Sequence, residues 1–313
     1  MKQMLLICAA IAALCACSKN DSKPNPGGGG GENPPPRTVT DTLMVYSQTQ
    51  RNGKSLVLTK FFTTGEIKTL FGDATYPFAS NLRLVYIKNG TTLGYSRFDG
   101  VSKTIAELVQ PSYPTASIDS KLICVVDKPA DKYQLLLYDT LGSKTVLFET
   151  ANQITSPAFT SDGQKVVFTQ KSATSSNLYL IPVTGGGVAK KVTSATANNY
   201  DDYATITSSK IYFVRSRYID STLSSEIFSS DFGGNTITQV SNFTNNWTTA
   251  SYWIKNLRKV ANAIDSSSLI CVSNYNNTNS EVFLYKIGGE LTRMTETDQA
   301  ESSPNMIANY TKD

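Results

Sequence analysis

Residues 156–168 read SPAFTSDGQKVVF: a short strand-like run, a polar turn carrying Asp162-Gly163, then a second apolar run. Gly after Asp suits a tight hairpin, where φ must often turn positive. Whether this is a lone hairpin or one copy of a repeat decides the fold. Strand-like runs ending in a Gly-bearing turn recur along the chain. They are SLVLTKFFTTG to Gly65, LGYSRFDG to Gly100, YQLLLYDTLG to Gly142, NLYLIPVTGG to Gly185, SEIFSSDFGG to Gly233 and VFLYKIGG to Gly288. These glycines are separated by 35, 42, 43, 48 and 55 residues. A short polar-apolar strand follows each, as in EIKTLF, KTVLFET and TITQVS. Upstream of most units lies a second marker, a short entry strand: YPFAS at Tyr76, YPTAS at Tyr113, SPAFT at Ser156 and DYATIT at Asp202. The next strand follows directly as LRLVYIK, LICVVD, KVVFTQ and KIYFVR.

Each unit therefore reads as four antiparallel strands, with β-branched and aromatic residues dominating the inner ones. Four strands repeated every ~40–50 residues is the signature of a propeller blade. The ends set the count. TLMVYSQ opens the domain as an inner strand lacking its entry strand, and SSPNMIAN closes it as an entry strand lacking a partner. Joined, they complete one blade. The expectation is an all-β, six-bladed β-propeller over residues 41–313, its ring closed by the C-terminal strand completing the N-terminal blade. Helical periodicity is nearly absent; residues 251–262 are expected to hold a helical turn or an inserted loop.

The repeat resembles that of the TolB-type, WD40-like propeller family, whose blades carry S-P-x-[FW]-S-P-D-G-x-x-[IVL]-x-[FY]. Residues 156–168 follow it closely, with Ser161 where Pro is usual. Asn177-Leu178-Tyr179-Leu180 through Gly185-Gly186, then Lys191-Val192-Thr193, match the family's close. Other blades keep pieces: Ser303-Pro304, Tyr76-Pro77 and Tyr113-Pro114. The resemblance spans the domain from about Asp41 and is sharp in the fourth blade.

The period also places the cysteines. Cys124 in KLICVVD and Cys271 in SLICVSN fall at the same point of the third and sixth blades, which lie opposite each other in a six-bladed ring. Cα atoms more than ~7 Å apart cannot be bridged, so two buried free thiols are expected.

The N-terminus reads as a targeting segment rather than fold. Lys2 precedes an apolar stretch over residues 4–14, too short for a stable span. Leu14-Cys15-Ala16-Cys17 resembles the lipobox of bacterial lipoproteins, which implies a signal peptide over residues 1–16 and lipidation at Cys17. An ordinary secretory signal with incidental cysteines is the alternative. Ser18 after Cys17 resembles lipoproteins released to the outer membrane, and three acyl chains exceed the two signals that stable anchoring requires. Residues 17–40, SKNDSKPNPGGGGGENPPPR and its flanks, hold a Gly run and a Pro run unable to build a core. They read as a tether.

Charge is nearly balanced, 29 basic against 25 acidic residues without basic clusters, which argues against nucleic acid as partner. The chain has no histidine, which removes Ser-His-Asp and Cys-His nucleophile systems and His metal sites together. No catalytic residue, metal site or cofactor is assigned. Ligand sites of propellers usually lie around the central channel, among loops leading into the innermost strands. Tyr76, Tyr113, Asn198 to Tyr203 and Asn242 to Trp253 read as such loops. Candidate ligand-binding residues are Tyr200, Asp201, Asp202, Tyr203, Trp247, Tyr252 and Trp253. Aromatics beside Asn and Asp suit a sugar ring or a peptide segment. Packing between neighbouring blades is the competing role for each, and Tyr76 and Tyr113, each before a Pro, read as structural. Asp201-Asp202 could serve Ca²⁺ or glycoside chemistry, but adjacent carboxylates are usually just solvated. The expected function is a cell-envelope lipoprotein serving as a binding or scaffold propeller. Its partner would be a protein, peptidoglycan or a glycan, with the membrane met through the lipid anchor. The alternative is a propeller-type glycosidase or lyase using carboxylate and Tyr residues.

Overall fold

The computed structural model describes residues 40–80, 83–98, 101–219, 222–243, 253–261, 267–274, 280–297 and 299–311. Cys17, the signal segment, Thr40's predecessors in the tether, Trp247 and Tyr252 lie outside the described residues. The described part falls in one compact unit, Thr38–Asp313.

Among these residues the chain forms 24 strands. The first three are β1 (Thr40–Thr49), β2 (Ser55–Phe61) and β3 (Ile67–Gly72). The next blade is β4 (Ala74–Ser80), β5 (Arg83–Lys88), β6 (Thr92–Arg97) and β7 (Ser102–Glu107). It is followed by β8 (Ser112–Ala116), β9 (Leu122–Asp127), β10 (Tyr133–Asp139) and β11 (Lys144–Thr150). Then come β12 (Gln153–Phe159), β13 (Lys165–Lys171), β14 (Ser176–Pro182) and β15 (Lys190–Lys191). The following set is β16 (Asn199–Ile206), β17 (Ile211–Ile219), β18 (Thr222–Ser230) and β19 (Ile237–Gln239). The last are β20 (Ile254–Lys259), β21 (Ser268–Ser273), β22 (Glu281–Lys286), β23 (Leu291–Arg293) and β24 (Ala300–Thr311).

Within each set neighbours pair antiparallel in chain order, so the chain is an all-β propeller with four-stranded antiparallel blades. The sets beginning at β12 and β16 merge into one eight-stranded sheet through a single parallel pairing, Ser176 with Tyr200. The C-terminal β24 runs antiparallel to β1 and completes the order β24-β1-β2-β3. The innermost strands touch in cyclic order: β4 with β8, then β12, β16, β20 and β24, which returns to β4.

The core lies between blades rather than within them. Six buried clusters separate successive sets, which is why β5 (LVYI) and β13 (VVF) are apolar on both faces instead of alternating. One cluster joins Val260, Ile270 and Val282 of the last blade to Met44, Tyr46 and Met306 of the first. Each fully buried side chain of this kind contributes roughly 1.5–3 kcal/mol. Two of the outermost strands are short and exposed (β15 has two residues and β19 three), which blunts those sheet edges. Cys124 and Cys271 are both buried and free, as their positions in the repeat predict.

The motif at 160–165 is turn chemistry. Thr160 donates its hydroxyl to Asp162 Oδ1 at 2.5 Å, and Gln164 N–H donates to the same oxygen at 3.0 Å. Gly163 takes φ 68°. Ser117-Ile118-Asp119-Ser120 in the β8–β11 blade repeats these bonds, with Ser120 at φ 58° in the glycine's place. That copy keeps the motif's Ser and Asp but lacks its glycine. Of the stretch 251–262, expected to hold a helical turn or an inserted loop, residues 254–259 instead form β20, a blade's innermost strand. Lys255, Asn256 and Arg258 hid its strand character, because one side of this strand faces a polar channel.

Candidate functional site

The six innermost strands share one backbone irregularity. Tyr76, Tyr113, Ser156, Tyr203, Asn256 and Ser303 all take φ between 50° and 53°. Each stands at a break in register with the adjacent strand, as between Thr75 and Phe78 or Lys255 and Arg258. A bulge re-aims the side chains around it, and left-handed φ outside glycine is uncommon. Pro follows four of the six, at Pro77, Pro114, Pro157 and Pro304. A bulge is where a strand tolerates the missing N–H of proline. The Ser-Pro and Tyr-Pro dipeptides of the sequence are thus bulge markers inside strands, and Tyr76 and Tyr113 sit in β4 and β8, not in loops.

Around the bulges, side chains from five strands meet. The Tyr76 and Tyr113 rings meet at 5.1 Å. Asp202 accepts a hydrogen bond from Thr155 Oγ1 at 2.8 Å and is paired with Lys171, whose Nζ lies 5.7 Å from the Tyr203 ring. Burial first, then the Asp202 charge, raises the phenols of Tyr113 and Tyr203 well above their ordinary value. Both stay protonated.

Asp201 and Asp202 diverge, as neighbours on a strand do. Asp201 is fully buried and bound bidentately by Arg215, Nε to Oδ1 at 2.6 Å and Nη2 to Oδ2 at 2.8 Å. The guanidinium also covers the Phe228 ring at 4.8 Å. The two carboxylates therefore never share a ligand; each has its own cation. Tyr200 is half-buried and meets Tyr218 edge-on at 5.7 Å, and Tyr218 is 51% exposed. Trp253 is half-buried, with Lys255 Nζ 4.4 Å from its ring and its backbone N–H donated to Asn274 Oδ1 at 2.8 Å. Among the described residues no group of three His, Cys, Asp or Glu could hold a metal ion.

On the far side of the bulges lies a cavity of about 320 Å³, walled by all six innermost strands. Two residues past each left-handed position, the strands contribute one layer: Phe78, Thr115, Ala158, Thr205, Arg258 and Asn305. Arg258 is its only charged member. Its side chain is 8% exposed, and its guanidinium reaches over β24 to lie 5.7 Å from the Phe78 ring. Its hydrogen bond among the described residues is Nη1 to the Leu257 carbonyl at 3.4 Å, and it has no ion pair there. Burial lowers the guanidinium to about 10, so it remains charged at neutral pH. This cavity was invisible in the sequence, because β20 was not recognised as an innermost strand.

No protein-family model matches the sequence, nor does any curated protein. Solved structures do match. TolB from Acinetobacter baumannii superposes with a TM-score of 0.66 at 12% identity, over 84% of this chain and 66% of that one. This chain thus spans slightly under two thirds of that protein. A protein assigned as TolB from Agrobacterium tumefaciens gives 0.58 at 13% identity, covering 82% of this chain and 88% of that one. An oligogalacturonate lyase in complex with manganese gives 0.58 at 14%, over 82% of this chain and 74% of that one. The chain carries the β-propeller fold of these TolB proteins.

Proposed function

We propose that the chain is a lipoprotein of the bacterial outer membrane whose six-bladed propeller, residues 41–313, is a binding scaffold for an envelope partner. Cys17 carries the lipid, and the Gly/Pro-rich tether over residues 17–40 holds the ring off the bilayer. The cyclic contact of innermost strands and the β24–β1 pairing support a closed ring of six blades. A closed ring presents rigid loops around one axis, which suits docking of a protein, peptidoglycan or a glycan.

One observation carries binding over catalysis. The carboxylates that the sequence offered for chemistry are spent on cations, Asp201 on Arg215 and Asp202 on Lys171, and the nearby phenols are held protonated. No described base stands ready in this cluster for glycosidase or lyase chemistry. Among the described residues, the face leading into β16 and β20 offers accessible aromatic side chains: Tyr218 and, half-buried, Tyr200 and Trp253. Aromatic anchors of this kind carry much of the energy of an interface.

The test is recovery of partners from detergent-solubilised envelope by the full chain and by a Tyr200→Ala/Trp253→Ala variant. The variant should retain less than a tenth of the wild-type yield while melting normally. Equal recovery by the two forms would remove the aromatic face from the proposal. A Cys17→Ser chain that stays with the membrane fraction would remove the anchor.

A further inference from the structure

We infer that the central cavity on the far side of the bulges is a binding site for a small organic carboxylate, held by Arg258 with Lys259 beside it. This site stands apart from the envelope-partner reading: it requires neither the anchor nor a macromolecule.

The argument begins at Asn256. Its left-handed φ breaks the alternation of β20, so that Leu257 is buried in the core and Arg258 and Lys259 both line the cavity. No Asp or Glu is among the described lining residues. The carboxylate whose charge Arg258 feels, Asp202, is already paired with Lys171. A guanidinium this buried loses most of its hydration, and a carbonyl at 3.4 Å and one aromatic ring replace little of it. An anion offering two coplanar oxygens would restore that loss, since the guanidinium fork matches a carboxylate bidentately.

The remaining walls describe the rest of the ligand. Phe78, Ile206 and Met306 give apolar surface, which an inorganic anion would not use. Hydroxyls surround them, and that of Thr115 is buried without a hydrogen-bond partner among the described residues. The volume lies at the small end of the ~300–1,000 Å³ typical of ligand pockets, which suits a body of roughly monosaccharide size. Access is from the face bearing Ile118, a lining residue that is 51% exposed. The ligand class is thus one carboxylate on a small, hydrogen-bonding organic body. A uronic acid and an N-acylated amino acid both meet this description.

Calorimetric titration of the full-length protein with sodium D-glucuronate, N-acetylglycine, D-glucose and inorganic phosphate tests it. At least one carboxylate should bind with one-to-one stoichiometry while glucose stays silent, and whichever carboxylate binds identifies the body. Arg258→Met should weaken that binding tenfold or more. Without ligand this variant should melt no lower than wild type, because a buried unpaired charge is replaced by an apolar chain of similar length. Should Arg258→Met fail to fold, Thr115→Val takes its place: threefold or greater weakening supports the site, and unchanged affinity overturns it. Silence of both carboxylates on folded wild type, binding unaffected by Arg258→Met, or response to phosphate alone would each overturn it.

Discussion

Glu301, second residue of β24, shows how a single side chain can report the closure of the molecule. Burial pushes its carboxyl from 4.5 up to about 7, with Glu281 of β22 adding to the rise. The hydrogen bonds agree. Thr295 Oγ1 contacts both Glu281, at 2.7 Å, and Glu301, while accepting the Val282 N–H at 2.9 Å. A hydroxyl has one proton to give, so both contacts are satisfied when Glu301 itself carries a proton. Because the folded value exceeds the unfolded one, the native state holds the extra proton between about pH 4.5 and 7. Stability from this group is complete below that window and is lost as pH rises through it. Glu301→Gln should therefore raise the melting temperature at pH 8, by a stabilisation of ~1–3 kcal/mol, and leave it nearly unchanged at pH 4.5. Calorimetry at the two pH values decides; an equal shift at both would show that Glu301 is ionised throughout.

Among the elements, the outer strands are locked by a repeated hydroxyl. Thr193, at the motif's close, accepts the Leu178 N–H at 3.0 Å; Ser241 accepts that of Ile227 at 2.7 Å, and Thr295 that of Val282. The residue before each hydroxyl returns a backbone bond to the same partner, Val192 to Leu178 and Val240 to Ile227, both at 2.8 Å. Thr193→Val keeps the shape but orphans a buried N–H, a cost of ~1–3 kcal/mol. A lower urea midpoint with unchanged slope is the expected reading. The position was legible in the sequence as Val192-Thr193 of the motif's close; the bond it makes emerged only from the structure. β20 was not legible: Asn256 supplies the bulge without a proline, and Arg258 puts charge where other strands put Thr115 or Ala158. The turn at Ser117 to Ser120 escaped for a related reason, since the turn geometry accepts Ser120 at positive φ where the motif prescribes Gly.

For the whole molecule, β24 brings the end of the chain back to its beginning. Met306 and Ile307 are buried against β1 and the last blade, and Asn305 donates to the Pro77 carbonyl at 2.7 Å. A chain ending at Gln299 would expose the β1 edge and open two of the clusters that join blades. It should elute as aggregate and lose its cooperative melting transition; a monomer melting within ~5 °C of the full chain would refute this role for β24. The sequence alone determined the four-strand repeat, its glycine turns and the free state of both cysteines, since these follow from period and local backbone chemistry. Tertiary structure alone decided how the charges are used. Asp201 and Asp202 are adjacent in the chain, yet one is bound by Arg215 across the blade and the other by Lys171 of a different blade. Among the described residues Arg258 has no carboxylate partner, in a cavity built by strands up to about 230 residues apart, and no spacing in the sequence encodes which of them share a wall. The packing of β4, β8, β12, β16, β20 and β24 against one another sets that neighbourhood.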